Sequence, residues 1–273
     1  VIARIKAQTR ALARELGVIG LMNIQYAVRG SDVYLLEVNP RASRTVPFVS
    51  KAIGAPLAKL AARVMAGKTL RELGFTEDPT PAYVSAKEVV LPFIKFPGVD
   101  ILLGPEMRST GEVMGIDVTM GLAFAKSQVA AGNTLPTKGT VFLSLKRQHP
   151  GEEEEIARGL TALGFRILAT EGTAARLAAL GVDAEEVAKV GESRPNILDR
   201  IINGDVDWIV NTPLGGDAKE DERAIRRAAI ERGIPIMTTL AAARAGLAGI
   251  KALRESTAHV LSLQEYHAGA FGK

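Results

Sequence analysis

From residue 140 to residue 253, short apolar runs alternate with segments of helical period, and this alternation narrows the possible folds more than any other feature. The runs 140–145, 165–170, 187–190, 207–211 and 235–239 read as strands. Between them, 152–163, 172–180, 196–202, 218–231 and 240–253 read as helices. Strand–helix alternation of this kind predicts an α/β class domain built on a doubly wound parallel sheet. Such sheets take ligands at the carboxyl ends of their strands. Ser144, Thr170, Asn211 and Thr238 fall there.

Upstream the pattern is different. Asn23-Ile-Gln-Tyr-Ala-Val and Val33-Tyr-Leu-Leu-Glu-Val-Asn39 are two β runs joined by Arg29-Gly-Ser-Asp32, a hairpin signal. Glu37 and Asn39 are two residues apart and so project from one face of the strand, where Gln25 of the partner run can join them. One carboxylate and two amide oxygens form a hard, all-oxygen donor set suited to Mg²⁺, with water and nucleotide phosphates completing its shell. Arg41 and Arg44 follow at once, where forked guanidinium groups can meet phosphate oxygens. Pro56-Leu-Ala-Lys-Leu-Ala-Ala-Arg-Val-Met-Ala-Gly67 reads as a helix, with Pro at its opening and Gly past its end. Strands are expected over 83–93 and 108–116, and a helix over 119–131. The turn formers of 132–139 suggest a linker, dividing the chain into 1–131 and 140–273. The first residues start inside a helical pattern without Met or a cap, as expected for a piece of a longer chain.

The chain has no cysteine, which removes disulfides, thiolate catalysis and zinc ribbons together and is compatible with a cytoplasmic location. Its net charge is +4, but the basic residues are scattered, and 8 Phe, 4 Tyr and 1 Trp form no aromatic platform among them. Nucleic acid is therefore not expected as a partner. No apolar run is long enough for a membrane span.

The ordered set Gln25, Glu37-Val-Asn-Pro-Arg41, Thr45-Val-Pro-Phe-Val-Ser-Lys51, Lys87-Glu-Val-Val-Leu-Pro-Phe93, Lys95-Phe-Pro-Gly98 and 104–115 resembles the second ATP-grasp unit of the carbamoyl phosphate synthetase large-subunit family. The region from 140 onward resembles that family's regulatory, methylglyoxal-synthase-like domain. The resemblance implies an α+β ATP-grasp portion followed by the doubly wound domain. It implies a ligase that uses glutamine-derived ammonia, bicarbonate and two ATP, this unit phosphorylating carbamate to carbamoyl phosphate for pyrimidine and arginine biosynthesis. The implied cofactors are ATP and Mg²⁺ or Mn²⁺, with K⁺ as a further candidate. The implied partners are the remainder of the large subunit, a small glutamine amidotransferase subunit, UMP and IMP as effectors, and ornithine; an oligomer is expected. Glu37 would bridge two metal ions, Gln25 and Asn39 would each complete one, and Gln25 and Glu37 would meet ATP through them. Arg44 and Arg41 would act on the phosphoryl groups. The family's nucleotide-clamping strands and lysines would lie upstream, so this chain alone should not turn over. Rival readings are a biotin carboxylase-like or purine-pathway ATP-grasp ligase, and methylglyoxal-synthase-type lyase activity in the second half.

Ser144, Thr170, Thr173, Lys189 and Asn211 are the implied allosteric nucleotide site. Thr170-Glu-Gly-Thr173 joins a strand to a helix start, where backbone N–H groups and two hydroxyls can cradle phosphate, although Thr and Gly are also routine caps. Glu88 and Thr238 are ornithine candidates. As a carboxylate among apolar residues, Glu88 equally reads as a structural glutamate partnered by Lys87 or Arg108. The chain departs from the family where Pro150 replaces a lysine, Pro213 a threonine and Ile236 a tyrosine. The remaining polar features are bland: Glu152–Glu155 favour a helix start, His149, His259 and His267 lack ligand spacing, and Trp208 reads as core.

Overall fold

The computed structural model describes residues 1–91, 111–146, 150–212, 219–256 and 259–270. The motif words 95–98 and 104–110, Arg108, His149 and Pro213 lie outside the described residues. The chain forms two compact units, one of Val1–Ala82 with Leu261–Lys273 and the other of Tyr83–Val260.

In the first unit, β1 (Asn23–Arg29) and β2 (Asp32–Asn39) form the expected antiparallel hairpin. Gly30 takes φ +61° in the two-residue turn, a left-handed value that a side chain would strain. Helix α1 (Ile2–Glu15) is tied to the hairpin by Thr9 Oγ1, 2.9 Å from the Tyr26 hydroxyl, and by Arg4, which donates to the Ser31 carbonyl at 3.0 Å. Two short helices follow, α2 (Val46–Ile53) and α3 (Leu57–Met65). The segment returning at the end adds a further short helix, Leu263–His267, with Ser262 and Glu265 forming a capping box. His267 Nε2 lies 2.8 Å from the Lys51 carbonyl, to which it donates.

In the second unit, β3 (Val84–Val90) pairs antiparallel with β4 (Gly111–Asp117), and α4 (Met120–Ala130) lies against both. Thr119 Oγ1 caps α4 by accepting from the Leu122 amide at 3.2 Å. The backbones meet at Gly115, where a Cβ would fall 2.0 Å from the Ala123 carbonyl oxygen and 2.4 Å from the Ser127 nitrogen. Stretch 132–139 is not where the two units part. Leu135 is buried, the Asn133 amide donates to the Gln128 carbonyl at 2.9 Å, and Arg254 donates to the Thr137 carbonyl.

The rest of the unit is the anticipated parallel sheet. Its strands are β5 (Thr140–Ser144), β6 (Arg166–Ala169), β7 (Glu185–Glu186), β8 (Trp208–Asn211) and β9 (Ile236–Met237), in the spatial order β7-β6-β5-β8-β9. Helices α5 (Pro150–Ala162) and α6 (Glu171–Ala179) connect β5 to β6 and β6 to β7; α7 (Ile197–Ile202) and α8 (Lys219–Arg232) serve β8 and β9. Helix α9 (Leu240–Glu255) follows the last strand. Alternate strand residues feed two cores. Val141, Leu143, Ile167, Trp208 and Val210 pack with residues of α5, α6 and α9, whereas Phe142, Leu168 and Ile209 pack with residues of α7 and α8. Chain progression reverses between β5 and β8, so right-handed crossovers place the helices on opposite faces. Trp208 is core as expected, its ring seated over Gly246, where a Cβ would come within 2.7 Å.

Strand β7 is displaced from the predicted 187–190 to Glu185–Glu186, leaving only the isolated bridge Ala188–Asn196 beyond it. Val187 and Val190 serve the core instead of a ladder, and Val190 also lines a cleft.

Candidate functional sites

The hairpin register places Gln25 directly opposite Glu37 and Asn23 opposite Asn39. Leu36 is the extra residue of a bulge, since Tyr26 pairs with Leu35, and it bends the strand beside Glu37. Gln25, Glu37 and Asn39 thus share one edge of the hairpin, with Gln25 and Glu37 exposed. Asn39 Nδ2 donates to Glu37 Oε1, while Asn39 Oδ1 accepts from Arg41 Nη2 at 3.4 Å. Arg41 also donates to the Ala42 carbonyl at 3.0 Å, and its amide to the Asn39 carbonyl at 2.8 Å. Arg44 is exposed just before α2. Among the described residues no group of three or more His, Cys, Asp or Glu is placed to hold a metal. The hairpin set has a single carboxylate and two amides, which fits a hard cation that keeps water and phosphate ligands. Turning the Asn39 amide over would direct Oδ1 toward Glu37 and Nδ2 away, an orientation that hydrogen bonding alone decides.

At the sheet, Ser144 ends β5 and Asn211 ends β8, paired in register at the switch point. Both are buried, and Asn211 Oδ1 has no hydrogen-bond partner. Thr212 stitches the strand ends together: its amide donates to the Ser144 carbonyl at 3.0 Å and its Oγ1 accepts from the Lys146 amide at 2.7 Å. Thr170 is the N-cap of α6 but makes no side-chain cap bond. Its hydroxyl instead donates to Thr173 Oγ1 at 3.4 Å, which also accepts from the Leu145 amide at 3.2 Å and from Arg176 Nη2 at 3.5 Å. Thr173 Oγ1 is thereby supplied with donors, and its own proton is left to be donated.

A brace that sequence reading missed holds this cradle. Arg176 donates to Glu153 at 2.9 Å, to the Gly172 carbonyl at 2.8 Å and to the Leu145 carbonyl at 2.7 Å. Glu153 comes from the acidic start of α5, so that run supplies a buried ion-pair partner as well as dipole compensation. Lys189 lies in the loop after β7, exposed, with Glu192 accepting from its Nζ at 3.0 Å. Beyond it a cleft of about 430 Å³ is lined by Val190, Glu192, Arg194, Asn196 and Asp199 among others. Pro150 opens α5. Ile236 lies in β9.

Glu88 and Thr238 are on separate elements, Glu88 on β3 and Thr238 exposed after β9. Lys87 is not the partner of Glu88, because it pairs with Glu112 at 2.6 Å. Alternation on the strand directs Glu88 the other way, where buried Gln128 donates to it at 2.7 Å. Burial raises the Glu88 carboxyl above its ordinary value of 4.5 despite that hydrogen bond. The folded chain then holds this proton more readily than the unfolded chain does. The stability gained from it is full below 4.5 and is lost as pH rises through the raised value. Glu88→Gln keeps an acceptor for Gln128 without the charge. Thermal scans should show a higher Tm than the parent at neutral pH and a smaller difference under acid conditions.

The parallel sheet, with helices packed on both of its faces, defines this part of the second unit as a doubly wound α/β domain. The family model "MGS-like domain" matches residues 152–238, and "Carbamoyl-phosphate synthase L chain, ATP binding domain" matches residues 2–73. The chain is 55% identical over 272 residues to the carbamoyl phosphate synthase large chain of Rhodopirellula baltica, covering 98% of this chain and 25% of that one. It is 54% identical to that of Archaeoglobus fulgidus, covering 95% of this chain and 24% of the relative, and 52% identical to that of Synechocystis sp., covering 97% and 25%. Nearly the whole chain is therefore related to part of the carbamoyl phosphate synthase large chain, and it spans about a quarter of the length of these relatives. Among the described residues no helix is long and apolar enough to cross a membrane.

Proposed function

We propose that the chain supplies the metal-binding wall of a carbamate-phosphorylating ATP-grasp site, together with a nucleotide-responsive domain built on the sheet from Thr140 onward. The observation that carries the first part is the register of Gln25 against Glu37, with Asn39 two residues on. Glu37 and the two amides hold Mg²⁺ or Mn²⁺ with ATP; the metal, when bound, neutralises phosphate charge. Arg41, bonded to Asn39, adds positive charge to the same edge of the hairpin, and Arg44 follows it in the chain as a second cation for phosphoryl oxygens. Such transfer is mainly a matter of positioning and charge stabilisation, which these exposed polar residues can provide only against an opposing wall. That wall belongs to the remainder of the large chain. A glutamine amidotransferase subunit supplies ammonia, and the product serves pyrimidine and arginine biosynthesis in the cytoplasm. Thr170, Thr173, Lys189, Ser144 and Asn211 receive UMP or IMP, and Glu88 and Thr238 are candidates for ornithine.

The 273-residue chain by itself should give background rates of Mg²⁺-dependent ATP hydrolysis and carbamoyl phosphate formation. Robust turnover lost on Glu37→Ala would show that both walls are encoded here and would overturn the division of labour.

A further inference from the structure

The Lys189 ammonium, the cation of the proposed nucleotide site, is already engaged by a carboxylate. Glu192 Oε1 accepts from Lys189 Nζ at 3.0 Å, and its Oε2 accepts from the Lys189 backbone amide at 3.0 Å. The Glu192 amide in turn donates to the Lys189 carbonyl at 3.3 Å, closing 189–192 into a self-bonded turn. Two bonds to one residue fix the carboxylate where an anion would approach the ammonium. The pair is nonetheless half exposed, with side-chain accessibilities of 45% and 52%, so water can replace either partner at small cost. Glu192 also lines the cleft beyond Lys189.

We propose that Glu192 is a displaceable gate on the anion site: an incoming phosphate takes the Lys189 ammonium only by competing with the Glu192 carboxylate for it. This rests on Thr170, Thr173 and Lys189 being the phosphate site. The charge state of the pair agrees with this geometry. After Glu192, lesser contributions from Glu171, which opens α6 beside Thr170, and from Asp221 also raise the Lys189 ammonium. Glu192 and Lys189 also stabilise each other's charged forms, the carboxyl lowered and the ammonium raised. Both therefore carry charge at neutral pH. A carboxylate held there repels phosphate and occupies its cation, yet leaves a neutral nucleoside unaffected.

Calorimetric titration of the whole chain with UMP, inorganic phosphate and uridine tests this. Glu192→Gln keeps an amide oxygen for the Lys189 backbone N–H but removes the charge, so the turn should persist. It should tighten Kd for UMP and phosphate by about threefold and leave any uridine binding unchanged. Lys189→Ala and Thr173→Ala should each weaken UMP, and Glu192→Gln should have no effect when added to Lys189→Ala. If Lys189→Ala weakens UMP but Glu192→Gln does not tighten it, the gate is wrong and the anion site stands. Tightening that survives in the double variant would reduce the effect to general charge and also overturn the gate. If no form binds UMP or phosphate, the anion site and its gate fall together.

Discussion

Glu37→Ala, introduced into a full-length large chain that contains this segment, is expected to lower the rate of carbamate phosphorylation by about three orders of magnitude or more. Glu37 is the single carboxylate of the hairpin set, and Gln25 across the ladder and Asn39 beside it bring no formal charge. Without it two amides remain to hold a divalent cation against water, and neutral oxygens alone hold such ions weakly. Asn39 would also lose the oxygen to which its Nδ2 now donates, and with it the restraint on its rotamer. The informative assay is phosphoryl transfer from carbamoyl phosphate to ADP, which reports this half-reaction alone. Bicarbonate-dependent ATP hydrolysis should be largely retained, because the hairpin is proposed to serve the carbamate step alone. Equal loss of both would point to global damage, and unchanged transfer to ADP would remove the hairpin from the metal site.

The largest effect on stability is expected from Gly115→Ala. The added methyl would lie 2.0 Å from the Ala123 carbonyl oxygen and 2.4 Å from the Ser127 nitrogen. Those are backbone atoms of a helix whose buried residues also contact α9, so no side-chain rotation can relieve the clash. Strand and helix must separate, at a cost of at least about 3 kcal/mol. Thermal unfolding should shift down by about 6–12 °C, and the Glu88–Gln128 hydrogen bond, carried by the same strand pair and helix, should weaken with it. Gly151→Ala is the matched control. It lies in α5 with nothing within 4 Å of its added Cβ, so the variant should be as stable as the parent or better by about 0.5 kcal/mol.

The parallel sheet was legible in the sequence because its central strands are covered on both faces. Val141, Phe142 and Leu143 each find a core, so apolar character runs on without alternation. The hairpin was legible for the opposite reason, its turn and two-residue spacing being local. Features decided at a distance were not. The run 187–190 is apolar enough for a strand, yet the ladder forms two residues earlier, at two glutamates. Val46–Ile53 carries Pro in its first turn and was read as a motif rather than a helix. Turn formers at 132–139 suggested a break, but buried Leu135 and the Arg254 bond to Thr137 hold that stretch within its unit. At the nucleotide site the strand-end residues could be placed from topology. Neither the Arg176–Glu153 brace nor the Lys189–Glu192 pair could be, because side-chain choice of partner leaves no periodic trace.

The return of Leu261–Lys273 to the first unit has a consequence for the order in which the molecule can be made. Chains emerge from the ribosome amino end first, and each domain folds once its residues are out. Here the hairpin and α1 to α3 are synthesised before the second unit, but the piece that places His267 against Lys51 appears only after the whole of Tyr83–Val260. The second unit can therefore complete its folding while the first still lacks its closing segment. The hairpin that carries Glu37 must wait through that interval with part of its own unit unmade.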